Sequence, residues 1–539
     1  MWIADQARGL TNRAATEAAS AVSLLRAGAF GLEPPQRLLY TLQAMHRIGP
    51  LGAALTIACQ RRPAATAIID ERGELSFAEL ADRSDRLAVA LLARGFRTGD
   101  GIGILCRNHR GMFDALFAAA KLGARTVLLN TDFGGPQLAD VCQHEQVSLL
   151  VHDEEFSATA ADCRPALGSL LAWTDGPPPP DSIEGLLGSR TAGRPPAPAR
   201  SQRIVLLTSG TTGAPKGAAR DFGLSLAIPG GYLSKIELRA ERPVYVSVPV
   251  FHAWGLLSCV VALALADTLV LARRTEPVEL ARSLAEHRCD ALITVPVLLG
   301  RLIGLLESQA HPLPDLRVIA VSGSTLPADL AQRTRAVLGD VLHNLYGSTE
   351  VAYASIATPA DLAAAPGTVG RPPVGTTIRL LDDDGRPVPR GQRGRIFVGN
   401  SFQFGHYTGG GSKQRIGGLM ATGDVGHLDA AGRLFVDGRD DDMIVSGGEN
   451  VYPGEVEELL LAHPQILDAA VLPVPDADFG QRLRAFVVLM PGADLNAEAV
   501  RDHVKARLAR FKVPRDVLLR DAIPRNPAGK VARQQLPLD

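Results

Sequence analysis

Apolar and polar positions change their spacing several times along this chain, and each change marks a different kind of element. From about Leu75 to Val151, helix-spaced and strand-like segments alternate: a helix is predicted over 77–93, a strand over 101–106, a helix over 110–122 and a strand over 126–129. Strands separated by helices of this length pair in parallel, so the pattern predicts βαβ units around a parallel sheet. A further apolar run, Ile204 to Leu207, follows a Pro-rich break between Gly176 and Pro198 that reads as an exposed connection. Alternation then resumes, with strands expected at 244–248, 268–271, 291–295, 317–321 and 341–345 and covering helices between them. Residues 377–398 carry short strand-like runs and a turn at Asp382 to Pro387, the pattern of a small β-rich subdomain. After Gly438 the spacing becomes that of a compact α+β unit: helix 453–461, strands 469–474 and 484–490, helix 497–508.

The fold class expected is therefore α/β, with a large N-terminal domain of several subdomains, parallel-rich sheets and a small β subdomain, plus a small α+β C-terminal domain. The expected division is an N-terminal helical extension at 1–60, a main domain at 61–438 and a C-terminal domain at 439–539. A length of 539 residues agrees, because single cores stop growing beyond about 250–300 residues.

Charge removes some partners. Charged residues are 21% of the chain and the net charge is −1, so no basic field for nucleic acid is expected. The six cysteines lack any CxxC spacing, which indicates neither a zinc site nor a disulfide framework and fits a reducing cytoplasm. The start, Met1 to Leu10, has no basic segment leading into an apolar core, and no apolar run approaches the ~18 residues of a membrane span. Within the first sixty residues, Arg37 to Cys59 can form helices with an apolar face. Packing on the main body is the expected role, with a peripheral membrane contact as its competitor.

The chemistry is concentrated in ordered motifs. Thr208 to Gly217 reads TSGTTGAPKG directly after the apolar run at 204–207. Its glycines let backbone approach an anion, and its hydroxyls and Lys216 suit phosphate oxygens, so a nucleoside triphosphate is the expected ligand. A Walker A loop is excluded, since Lys216 is followed by Gly217 and not by Ser or Thr. Ser322 to Leu326 reads SGSTL, Asn344 to Glu350 reads NLYGSTE, Thr422 to Asp424 reads TGD, Gly438 to Glu457 begins GRDDD and contains SGGEN, and Pro524 to Val531 reads PRNPAGKV.

This order of motifs resembles the adenylate-forming superfamily of acyl-CoA synthetases, peptide-synthetase adenylation domains and luciferases, over roughly residues 55 to 539. The resemblance implies that Thr208, Ser209, Gly210, Thr211, Thr212, Gly213 and Lys216 hold ATP phosphates. It implies that Gly323, Ser324 and Thr325 line the adenine, although the family has a second glycine where this chain has serine. Asn344, Tyr346, Gly347, Ser348 and Thr349 would contact AMP, with Tyr346 packed on adenine, and Glu350 would hold Mg2+ with a weaker contribution from Thr211. Asp424 would accept the ribose hydroxyls, Arg439 would reach ribose or phosphate, and Lys530 would bridge the substrate carboxylate and the α-phosphate. Asp441 would be the hinge of a mobile C-terminal domain, whose rotation brings Ser446, Gly447, Gly448 and Glu449 to the acyl and CoA site.

At Pro249 to Gly255, PVFHAWG resembles the family's aromatic motif beside the acyl site. His252 occupies the neighbourhood of the aspartate with which amino-acid-activating relatives hold the substrate ammonium, so an amino acid is disfavoured. His252 also reads as a satisfied strand-end histidine, the commoner fate of a lone histidine, and Trp254 either as a gate at an apolar tunnel or as core. The SGGENVYP, FHAWG and KGAAR forms most resemble bacterial fatty acyl-CoA synthetases, especially actinobacterial ones. The expected reaction is activation of a medium- or long-chain fatty acid by MgATP to acyl-AMP, then transfer to CoA. A carrier-protein-loading fatty acyl-AMP ligase and an aryl-CoA ligase are the alternatives within the superfamily, and an inactive nucleotide-binding scaffold is the alternative outside it. A homodimer is compatible with all of these.

Overall fold

The structure is a computed structural model that describes residues 2–29, 35–188, 193–208, 216–220, 225–309, 311–401, 403–405, 408, 412–440, 444–446, 449–451, 453–476, 480–508, 512–526 and 529–537. The chain forms two compact units, one of residues 1–294, 311–319 and 401–412 and the other of 295–310, 320–400 and 413–539.

In the first unit a six-stranded sheet runs Ser169–Trp173, Val147–Asp153, Gly101–Leu105, Arg125–Leu128, Arg203–Thr208, Lys216–Arg220. Every pair is parallel except the last, which is an antiparallel hairpin. The helices Phe77–Ala93 and Arg110–Leu122 have the bounds expected from the sequence. The first is started by a capping box: Glu79 N–H donates to Ser76 Oγ at 3.2 Å, and Ser76 N–H donates to Glu79 Oε2 at 2.7 Å. Its buried positions Phe77, Leu80, Ser84, Leu87 and Leu91 recur at three- and four-residue steps. A second parallel series in this unit runs Ala291–Thr294, Pro243–Val246, Thr268–Val270, Thr66–Asp70, with Gly73–Ser76 added antiparallel.

The Pro-rich break is not simply an exposed connection. Ile183–Gly188 is a helical turn whose Ile183 and Leu187 are buried, and Glu184 pairs with Arg83 at 2.6 Å and Arg72 at 3.4 Å. The N-terminal extension also departs from expectation. It comprises helices Trp2–Ala27 and Pro35–Arg61, but the second is kinked at Gly49, and only the part after the kink buries an apolar face.

In the second unit Leu342–Tyr346 pairs antiparallel with Ser355–Ala357. The small β subdomain is larger than 377–398, because Leu419–Leu428 and Leu434–Arg439 complete a sheet with Thr377–Leu381 and Gly394–Gly399. The C-terminal sheet runs Glu449–Val451, Ile444–Ser446, Gly480–Leu489, Ile466–Asp476, with Asp516–Leu519 parallel to the third of these. Helices Pro453–Leu461 and Ala497–Lys505 close a core of Val456, Leu460, Val471, Val487, Val500 and Val504.

Candidate active site

In the first unit, the strands Arg203–Thr208 and Lys216–Arg220 bracket the Gly- and hydroxyl-rich loop in the register Thr208↔Lys216. The loop therefore leaves the C-terminal end of a parallel strand, the end at which ligands bind in open α/β sheets, and returns as a strand, unlike a Walker A loop. Ser209, Gly210, Thr211, Thr212 and Gly213 lie outside the described residues, as do the side chains of Thr208 and Lys216. The base of the loop is close-packed. Thr408 N–H donates to Gly217 O at 2.8 Å and its hydroxyl donates to the buried Glu145 at 2.5 Å. A Cβ on Gly217 would lie 2.6 Å from both Glu145 Oε1 and Thr408 Oγ1, so a side chain after Lys216 would have to displace one of these groups.

Also in this unit, His252 is the N-cap residue of helix Ala253–Ala264 but makes no capping bond with its side chain, and its ring lies 4.5 Å from that of Phe251. Trp254 is core. It is 8% exposed, donates its indole N–H to Thr294 O at 3.1 Å, and lies 6.0 Å from the buried Tyr232 ring. Of the two readings of Trp254, the structure supports the packed one, because a gate would have to surrender a buried hydrogen bond and an aromatic contact.

The second unit gathers the charged residues. Tyr346 ends its strand with its hydroxyl donating to Asp424 Oδ2. Asp424 sits opposite Arg439 across the Leu419–Leu428 and Leu434–Arg439 pair, with the guanidinium 3.9 Å from its carboxylate. Thr422 sets the strand here, its hydroxyl donating to Ile396 O and accepting from Asp424 N–H, each at 3.1 Å. Burial raises the Asp424 pKa from its ordinary value, against the Tyr346 hydrogen bond and the cations Arg439 and Lys530. Burial, and then the Asp424 charge, hold Tyr346 well above the ordinary phenol range, so its hydroxyl remains a donor.

Lys530 lies within electrostatic reach of Asp424, Arg439 and Glu350. Burial lowers its pKa, the two carboxylates counter this and Arg439 adds to it. The residue keeps an accessible surface, so crowding around the ammonium sets the direction of the shift while solvent moderates its size. Its turn is braced by groups that motif reading missed. Asn526 O accepts from Gly529 N–H at 2.8 Å and Asn526 Oδ1 from Lys530 N–H at 2.9 Å, while Arg525 binds both Gly529 O at 2.8 Å and Asp468 at 2.6 Å. Arg525 and Asn526 were visible in PRNPAGKV; Asp468, the partner of Arg525, carried no signal.

Other expected residues occupy more structural positions. Asn344 is buried with its amide 3.5 Å from Thr368 O, and Thr325 is exposed. Gly347 admits no side chain, since a Cβ would lie 2.1 Å from Ala352 O. Gly323 and Ser324 follow the Val318–Val321 strand and are half-buried. Thr349 and Glu350 share the next turn with Ser348, whose buried hydroxyl has no hydrogen-bond partner among the described residues. A buried orphan hydroxyl beside a carboxylate fits a polar phosphate ligand and a hard cation such as Mg2+. Asp441, Gly447 and Gly448 lie outside the described residues, as do the side chains of Ser446 and Glu449. The strands Ile444–Ser446 and Glu449–Val451 pair antiparallel, with Ser446 opposite Glu449.

Among the described residues, Cys106, His109 and Asp153 form a buried group with metal-ligand chemistry. Its atoms are already used: His109 Nε2 binds Asp153 at 2.7 Å, Nδ1 accepts from Gly111 N–H at 3.1 Å to cap helix Arg110–Leu122, and Asp153 accepts from Arg107 N–H at 2.8 Å. The group is a helix cap.

Residues 55–408 match the AMP-binding enzyme family and residues 455–530 match the AMP-binding enzyme C-terminal domain. The chain belongs to the AMP-binding enzyme family. It is 32% identical over 484 residues to the indoleacetate–CoA ligase of Aromatoleum aromaticum, which covers 88% of this chain and 95% of that one. It is 30% identical over 504 residues to the fatty acid–[acyl-carrier-protein] ligase ScoC of Streptomyces coeruleorubidus, covering 88% and 94%. The o-succinylbenzoate CoA synthetase (MenE) of Bacillus subtilis, solved with its acyl-adenylate intermediate OSB-AMP, superposes with a TM-score of 0.78 at 28% identity over 89% of this chain and 97% of that one. The AMP-binding enzyme is thus of the adenylate-forming acyl- or aryl-CoA ligase type, with the two-domain fold of such ligases. These relatives do not establish the narrower resemblance to fatty acyl-CoA synthetases and to actinobacterial members, since aryl-CoA ligases are prominent among them. No helix among the described residues is long and apolar enough to cross a membrane.

Proposed function

We propose that this AMP-binding enzyme activates a compact aromatic or arylalkyl carboxylic acid with MgATP and passes the acyl group to CoA. The observation that carries the choice of acid is Trp254, locked by Thr294 O and packed near Tyr232 in the segment that borders the acyl site in the family. A filled aromatic wall suits a flat, short acid better than a long tunnel. Relatives acting on indoleacetate and o-succinylbenzoate support the same reading.

In the first half-reaction the carboxylate oxygen attacks the α-phosphorus, forming a C–O–P bond as pyrophosphate leaves. Such a substitution needs alignment and charge neutralisation more than a protein nucleophile. Asp424, braced by Tyr346 and Arg439, accepts the ribose hydroxyls and fixes the nucleotide. The Lys530 ammonium offsets the charge that accumulates between carboxylate and phosphate, and Lys216 with the hydroxyl loop receives the pyrophosphate. Glu350 and Thr211 would hold Mg2+, which supplies Lewis-acid neutralisation of the triphosphate. In the second half-reaction the CoA sulfur attacks the acyl carbon, the thiol proton is lost and AMP departs. Rotation of the C-terminal domain about Asp441 withdraws Lys530 and presents the Ser446 to Glu449 segment.

The test is AMP release from a panel of carboxylates with and without CoA. Turnover of arylacetic, benzoic or cinnamic acids that depends on CoA is the expected result. Turnover confined to long-chain fatty acids overturns the choice of acid, and acyl-AMP discharged only onto carrier protein overturns the choice of thiol.

A further inference from the structure

The helix Pro35–Arg61 is really two pieces. Gly49 has φ 72 and ψ 177, and Pro50 follows it, so the chain turns sharply there. After the turn Leu51, Ala53, Ala54, Leu55 and Ala58 are buried. Before it, among the described side chains of 36–48, none is buried. Leu39 and Tyr40 are each 57% exposed and Leu42 46%. Thr41, Ala44, Met45 and Ile48 form a half-buried side of this helix, and the large apolar side chains exposed on its opposite side mark a contact surface. The segment precedes the part of the chain that matches the AMP-binding family, which begins at residue 55, so the catalytic fold does not account for it.

Its charge narrows the occupant. No acidic residue occurs between Pro34 and Ile69, while Arg37, His46 and Arg47 are exposed within the segment. With successive residues turned by about 100°, Leu39, Leu42 and His46 share one side of the exposed arc, and Tyr40 and Arg47 share the other. A second copy of this helix would bring arginine to arginine without a carboxylate to pair them. An anionic bilayer satisfies both features at once, taking the leucines into the acyl boundary and the basic groups at its phosphates, with tyrosine at headgroup level. At about 1.5 Å per residue the thirteen residues lie flat over roughly 20 Å, a surface helix and not a span. Helix Trp2–Ala27 adds an exposed stripe of Ala15, Ala18, Val22 and Leu25, while Ser20 and Leu24 on its other side are buried.

We infer that residues 36–48 form a membrane-surface helix that seats this enzyme on an anionic lipid bilayer. The inference is independent of which acid the enzyme activates.

The experiment is flotation of the full-length protein with phosphatidylcholine vesicles and with phosphatidylcholine–phosphatidylglycerol vesicles, at low and high salt. Wild type floats with the anionic vesicles and releases as salt rises. Leu39→Ser/Leu42→Ser lowers the partition by about tenfold per leucine, and Arg47→Glu by about fivefold or more. These sites are exposed, so both variants keep wild-type thermal stability and wild-type adenylate formation in solution. A wild type that stays soluble with anionic vesicles at low salt overturns the inference, as do variants that float as well as wild type. Light scattering that shows a wild-type dimer broken by the same variants, without vesicle binding, overturns it in favour of a second copy.

Discussion

Replacing Tyr346 by phenylalanine removes one oxygen and keeps the ring that is expected to pack on adenine. In the structure that oxygen donates to Asp424 Oδ2, and Asp424 is the carboxylate expected to receive the ribose hydroxyls. A hydrogen bond to a charged acceptor contributes roughly 1.5–3 kcal/mol, and its loss leaves a buried carboxylate short of a donor. If all of that is needed to hold the nucleotide, kcat/KM for ATP falls by about tenfold to about 150-fold. The pH profile moves as well. Burial raises the Asp424 pKa and the Tyr346 hydroxyl works against this, so removing the hydroxyl moves the pKa further up. The ribose-binding form is the ionised one, present above the pKa, so the acidic limb of the ATP profile shifts toward higher pH. ATP–pyrophosphate exchange measures both effects. The decisive comparison is a double-mutant cycle with Asp424→Asn, in which Tyr346→Phe should have little further effect. Additive losses in the cycle, or an unmoved acidic limb, refute the claim that the hydroxyl acts through Asp424.

Lys530→Ala should abolish ATP–pyrophosphate exchange while leaving thioester formation from supplied acyl adenylate largely intact; equal loss of both half-reactions removes its assigned role. Because burial lowers the Lys530 pKa and the ammonium is the working form, adenylation is full below that pKa and declines as pH rises through it. The alkaline limb therefore comes earlier than for an ordinary lysine and is absent in Lys530→Arg. Gly217→Ala places a methyl 2.6 Å from Glu145 and Thr408, so the first thermal transition should fall by the equivalent of about 1–3 kcal/mol; an unchanged midpoint shows that the loop base can give way.

What could be read in advance follows from the range of the forces involved. Helices 77–93 and 110–122 were legible because burial spacing lies within each segment, and in the first the capping pair Ser76 and Glu79 is only three residues apart. The strand Arg203–Thr208 was legible because its apolar run stands directly before the TSGTTGAPKG string. The turn Ile183–Gly188 was not, since six residues are too few to show a helical period and its stability comes from Arg83, 101 residues away in sequence. The strands Leu419–Leu428 and Leu434–Arg439 were passed over because their polar residues read as motif, although that polarity is how a half-exposed sheet carries Asp424 and Arg439 side by side. Trp254 shows the same limit: core and gate differ only in whether Thr294 O, forty residues on, stands at the indole N–H. The same holds for Tyr346 and Asp424, 78 residues apart, whose hydrogen bond joins what the motifs presented as separate adenine and ribose contacts. Strings of residues identify which groups do the chemistry, but the coupling between the groups is tertiary, and it is the coupling that a substitution such as Tyr346→Phe measures.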